Sequence, residues 1–140
     1  MLKNIPYYFT PDLLKLLMSM GHGDDLLLSD GNYPAHTMSA PSTAHIYLPV
    51  REIDVLLTDI LHFFPLDESV SIPLLVMESA KESGAYERYQ AALEKTGIKS
   101  PIGTLERFDF YKQASTAAGI IITACTIKGG NILIKKGVVR

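Results

Sequence analysis

The sequence predicts an α/β fold: a single compact domain with a small, mainly parallel sheet flanked by helices. Two observations carry this. Short apolar runs of strand length alternate with amphipathic segments of helical period along the whole chain. At 140 residues and 47% hydrophobic content, the chain is long enough for one domain over residues 1–140 with its own core.

The elements follow in order. Thr10 is a helix N-cap, Pro11 takes the first helical position and Gly21 is expected to end the helix. Leu13, Leu16, Leu17 and Met20 share one face. Asp25 to Ser29 reads as a buried strand. Residues 30–43 carry Gly31, Pro34 and Pro41 and read as a loop, and a loop of that length is more often functional than ornamental. Ala44 to Leu48 is the next strand. Pro49 then opens a helix running to about Phe64, with Ile53, Leu56, Leu57, Ile60 and Phe64 buried and Pro65 as its stop. Pro73 to Met77 is a strand, Glu82 to Thr96 a helix closed by Gly97, and Phe108 to Ala118 a helix closed by Gly119. Ile120 to Ala124 and Ile132 to Ile134 are the last strands, joined through Gly129-Gly130-Asn131, which resembles a hairpin turn.

Composition excludes several function classes. A net charge of −2 argues against a nucleic-acid or polybasic membrane binder. No long apolar run follows Met1-Leu2-Lys3-Asn4, so neither a leader peptide nor a membrane span is expected. One cysteine, Cys125, allows no internal disulfide, and a reducing, cytoplasmic location is the default expectation. The mean hydropathy of +0.16 is high for a small chain and suggests apolar surface covered by another subunit. P-loop, dinucleotide, nucleophile-elbow and HExxH motifs are absent.

The informative segment is Gly21-His22-Gly23-Asp24, followed by Ser29-Asp30 and Pro34-Ala35-His36. Glycines on both sides bare the His22 imidazole, and histidine suits proton transfer near neutral pH. Asp30 follows a buried strand, and ligands of parallel sheets sit beyond strand carboxyl ends. Against this, Gly21 and His22 also suit a plain helix terminus. His45 and His62 read as structural. The set His22, Asp24, Asp30 and His36 matches no dedicated metal spacing, so no metal is expected. Later, Arg107 stands beside Phe108, Phe110 and Tyr111, a grouping that suits polyhydroxyl or anionic ligands as well as a plain helix start.

Together Gly21-His22-Gly23-Asp24, Ser29-Asp30, Tyr33-Pro34-Ala35-His36, Arg107-Phe108-x-Phe110-Tyr111 and Gly130-Asn131-Ile132-Leu133-Ile134-Lys135-Lys136-Gly137 resemble the L-fucose mutarotase branch of the ribose pyranase/fucose mutarotase family. The resemblance runs from Met1 to about Gly137. It implies an isomerase that interconverts the anomers of a free sugar, L-fucose first, with no cofactor and no metal. It also implies a ring, commonly a homodecamer, with sugar bound near subunit contacts. It would make His22 the catalytic proton donor and Asp30 a sugar ligand that orients His22. Arg107, Asn131, Gly129 and His36 would be further sugar contacts, with Tyr33 or Tyr111 as the candidate to supply a hydroxyl in place of the family's phenol. The family usually shows Tyr-x-Asn before its last strand, and here Gly129 takes the Tyr position. The alternatives are a sugar-binding protein with weakened catalysis, a ribose-type pyranase, and an oligomer whose role is structural. One geometric conflict stands: an extended Asp25–Ser29 strand puts roughly 16 Å between His22 and Asp30 at about 3.3 Å per residue. Either the flanking loops curl inward, or one of the two residues faces a neighbouring subunit's site.

Overall fold

The computed structural model describes residues 1–140. Six strands form one sheet: β1 (Asp25–Ser29), β2 (Ala44–Tyr47), β3 (Leu74–Met77), β4 (Ile102–Leu105), β5 (Gly119–Ile122) and β6 (Ile132–Lys135). Their spatial order is β2-β5-β1-β6-β3-β4. β1 pairs parallel with β5, β2 with β5, and β3 with β4; β6 alone runs antiparallel, against both β1 and β3. The sheet is therefore mainly parallel, as expected.

The helices are α1 (Pro11–Ser19), α2 (Ile53–Leu61), α3 (Ser79–Ser83), α4 (Ala85–Thr96) and α5 (Arg107–Ala114). Strand alternation divides the core. Leu26 and Leu28 of β1, Ile121 of β5, and Ile132 and Ile134 of β6 face a large layer filled from α1, α2 and α4. Leu27, Ile120 and Leu133 face a smaller layer closed by Phe110 and Ala114 of α5 and by Tyr33 and Ala35 of the loop after β1. The long loop 30–43 is thus part of the second core layer.

Several boundaries differ from the sequence reading, each for a physical reason. Thr10 caps α1 as expected, its hydroxyl accepting from the Leu13 amide. The helix ends at Met20, whose backbone is extended, so Gly21 lies one residue past the cap. The ammonium of Lys136 donates to the carbonyls of Leu17 and Met20 and takes over the capping. Pro49 does not open α2. The Leu48 amide donates to Ile122, and Ala124 donates to Val50, so this stretch continues beside β5 and the helix starts at Ile53. The expected third helix is broken at Gly84, where φ is +82°, into α3 and α4. The fourth begins at Arg107, because the Glu106 carboxylate caps it by accepting from the Phe108 and Asp109 amides. It stops at Ala114. Gly119 is no helix cap but the first residue of β5, where the Leu16 side chain packs against its bare α-carbon. The sequence pattern predicts no strand at β4: Ile-Gly-Thr-Leu is a half-buried edge strand containing a glycine, with too little apolar contrast to announce itself. Finally, Gly129-Gly130-Asn131 is not a hairpin turn, since β1 lies between β5 and β6 in the sheet.

Candidate functional site

At the carboxyl edge of the parallel strands, the residues leaving β1, β3 and β4 and the residues entering β6 converge. They bound a cavity of about 610 Å³ lined by 14 residues, three of them hydrophobic. Asp30 leaves β1, Glu78 and Ser79 leave β3, Glu106 and Arg107 leave β4, and Gly129 and Asn131 lead into β6. The antiparallel β6 matters here, because its direction brings Asn131 to the edge where β1 releases Asp30.

Asp30 and Asn131 form the floor. The Asn131 amide nitrogen donates to Asp30 Oδ2 at 3.0 Å, and the Asp30 backbone amide donates to Asn131 Oδ1 at 2.8 Å. The Asn32 amide donates to Asp30 Oδ1 at 2.9 Å. Asp30 is only 6% exposed and Asn131 3%. Burial raises the Asp30 carboxyl above its ordinary value, while donors from Asn32 and Asn131 partly offset this. A carboxylate so held still has lone pairs for a ligand hydroxyl.

One wall is aromatic. Tyr33 and Tyr111 meet edge to face with centroids 5.4 Å apart. Arg107 lies over the rings of Phe108 and Tyr111 at 5.6 and 5.3 Å, and its Nε donates to the Tyr111 hydroxyl at 3.2 Å. The Tyr33 hydroxyl is buried without any hydrogen-bond partner. Such an orphan costs about 1–3 kcal/mol. Opposite, Gly129 has φ +67°, and the Ser79 hydroxyl occupies the space a side chain there would need. The phenol that the family resemblance places at this position is missing, and a side chain there would need a strained positive φ and a shift of Ser79. Fixed carboxylate, carboxamide, guanidinium and ring faces, with few apolar walls, suit a polyhydroxyl ligand.

The structure brings Asp30, Tyr33, Arg107, Tyr111, Gly129 and Asn131 together. It leaves out two of the residues singled out in the sequence. His36 is exposed and off the lining. His22 precedes β1 whereas Asp30 follows it, so the two stand at opposite edges of the sheet. Within one chain Asp30 therefore does not orient His22. The partner is Asp67, whose Oδ1 lies 3.0 Å from His22 Nε2. Donors from the Ser69 hydroxyl and amide, then His22, hold the Asp67 carboxyl at about 2. An ionised carboxylate only accepts, so Nε2 carries the proton and Nδ1 is the free nitrogen. The His22 side chain is 50% exposed. Its loop is pinned: Gly21 N–H donates to Asp24 Oδ2, Gly23 N–H to the Lys136 carbonyl, and Lys136 N–H to the Asp24 carbonyl. The same separation means His22, Asp24, Asp30 and His36 do not surround one point in a single chain.

Sequence reasoning missed Asp67, which lies in the connection before β3 and has no local pattern. It also missed Glu78, Ser79 and Glu82, which reach the cavity only through tertiary placement. His45 bonds the Ser39 hydroxyl and His62 the Thr58 carbonyl, and neither lines this cavity. Cys125 is buried just past β5, and burial pushes its thiol up, which fits the inert reading. A larger cleft of about 650 Å³ opens at the other edge between Phe63, Phe64, Ile98 and Val138; it includes Asp67, the partner of His22, but neither Asp30 nor Arg107.

Comparison with known proteins finds relatives over the full length of the chain. The L-fucose mutarotase of Actinobacillus pleuropneumoniae is 40% identical over 99% of this chain and 97% of its own length. The fucose mutarotase of Mus musculus is 36% identical over 97% and 94%. The fucose mutarotase of Streptococcus pneumoniae, solved with L-fucose, superposes with a TM-score of 0.88 at 37% identity, covering 99% of this chain and all of that one. The model of the RbsD / FucU transport protein family matches residues 3–139, and the chain belongs to that family.

Proposed function

We propose that the protein is a mutarotase that interconverts the α and β anomers of L-fucose, in a site completed by His22 of a neighbouring copy. The observation that carries this reading is the buried Asp30–Asn131 pair at the floor of a polar, aromatic-walled cavity, in a chain related over its full length to proteins bearing the mutarotase name. Mutarotation opens and recloses a hemiacetal. A proton is delivered to the ring oxygen, another leaves the anomeric hydroxyl, and no electrons are exchanged with any cofactor. A positioned acid/base group supplies about 10²–10⁴-fold in rate. Asp30 accepts from sugar hydroxyls, Arg107 and Asn131 fix the ring, and Tyr111 offers a ring face and hydroxyl. Gly129 lines the cavity through its backbone. His36 has no part.

His22 acts through Nδ1, with Asp67 steadying Nε2. Because roughly 16 Å of strand separates it from Asp30, it serves the site of an adjacent subunit. A closed ring, the homodecamer implied by the resemblance, gives every site such a neighbour. Exposed Tyr7, Met18, Tyr47 and Phe108 are available to cover in such a ring. No helix is long and apolar enough to cross a membrane.

The test is NMR saturation transfer between the anomeric protons of L-fucose, with D-ribose alongside and light scattering for the assembly. Protein-dependent transfer for L-fucose, lost in His22→Ala with the fold intact, is the expected result. Mixed assemblies of His22→Ala and Asp30→Asn chains should regain about a quarter of the sites, since each shared site needs one intact residue from each parent. Transfer with ribose alone would favour a ribose-type pyranase. Binding without transfer would favour a sugar-binding protein, a reading that the absent phenol at Gly129 makes specific.

A further inference from the structure

Two phenols line the cavity, and they differ in one respect. The Tyr111 hydroxyl accepts from Arg107, while the Tyr33 hydroxyl is buried with no partner. The ring of Tyr33 is accounted for by packing with Ala35, Met77 and Phe110 in the smaller core layer. Phenylalanine would fill that space equally well, so packing does not explain the oxygen. Buried polar groups are nearly always satisfied, and an orphan beside a ligand cavity points to a partner that arrives with the ligand. The chemistry around it selects that partner. Burial, then Tyr111 and the Asp30 carboxylate, raise the Tyr33 hydroxyl further above the ordinary phenol range, so it stays protonated and acts as a donor. Tyr111 packs edge to face on Tyr33 and is only half-buried, and Arg107, which donates to it, is exposed on the cavity lining. No competing phenol can come from the facing wall, where Gly129 has φ +67° and Ser79 fills the space.

We propose that the Tyr33 hydroxyl donates a hydrogen bond to an oxygen of the bound sugar, reached when the Arg107–Tyr111 pair shifts on binding, and so replaces the phenol this chain lacks at Gly129. The proposal rests on the sugar-site reading above. It predicts opposite signs for stability and binding. In Tyr33→Phe the free protein loses only an unsatisfied group, so its melting temperature stays the same or rises. L-fucose affinity, measured by calorimetry on the whole assembly, falls about ten-fold, and anomer exchange falls with it. A variant that melts earlier or fails to fold would show that the hydroxyl has a structural partner and would overturn the proposal. Unchanged affinity in the variant beside normal wild-type binding would overturn the role of Tyr33 alone. A wild-type protein that neither binds nor exchanges L-fucose would remove the sugar reading, and this proposal with it.

Discussion

Replacing Asn131 by Asp tests the floor of the site through charge alone. The side chain keeps its shape, but an amide nitrogen 3.0 Å from Asp30 Oδ2 becomes an oxygen. A charge-assisted donor bond, worth about 1.5–3 kcal/mol, is lost. Two carboxylates are then left facing each other, at positions only 6% and 3% exposed. Oδ1 can still accept from the Asp30 amide, so the neutral bond at 2.8 Å survives. Adding the repulsion of a partly screened like-charge pair brings the expected loss to about 3–4 kcal/mol near pH 8. For a domain of this size that is about 10 °C in melting temperature. The sign with pH follows from the shared proton. Two adjacent carboxyls raise one of their affinities for a proton, so the folded variant binds a proton that its unfolded chain releases. Lowering the pH from about 8 to about 5 therefore narrows the gap between variant and wild type. Thermal unfolding by circular dichroism at several pH values measures this directly. A variant as stable as wild type near pH 8, or a gap that does not narrow toward acid, would refute the reasoning.

Two further outcomes are expected. Asp67 is held at about 2, below its ordinary value of 3.8, by Ser69 and His22. The stability it contributes is complete above the ordinary value and is lost as pH falls through the folded one. Asp67→Asn should therefore be less stable than wild type at neutral pH, with the difference vanishing near pH 2 in an acid-unfolding series. Gly129→Ala forces a β-carbon into both a positive φ and the Ser79 hydroxyl, and chemical denaturation should show a loss of about 2–4 kcal/mol. Adding Ser79→Gly should recover the steric part and leave about 1 kcal/mol of backbone cost.

Much of the site was legible because its chemistry lies in short segments. Glycines around His22, an aspartate leaving a buried strand, and an arginine beside aromatics announce themselves locally, and so does a strand whose leucines face two layers. The capped start of α1 and the buried faces of α1, α2 and α4 follow from side-chain spacing alone. What the sequence left open depends on long-range pairing. That β6 runs antiparallel between β1 and β3 is a matter of sheet order, and it is this direction that places Asn131 against Asp30, 101 residues away. The His22–Asp67 pair spans 45 residues through a connection with no pattern of its own. The edge strand β4 carries too little apolar contrast to be seen before its neighbour β3 is in place. By itself the sequence determined which groups are available for chemistry and which faces are apolar, because those are properties of side chains and their spacing. Only the tertiary structure decided that Asn131 meets Asp30 and that Asp67 meets His22, because contacts between residues so far apart in sequence depend on sheet order and loop path rather than on local spacing.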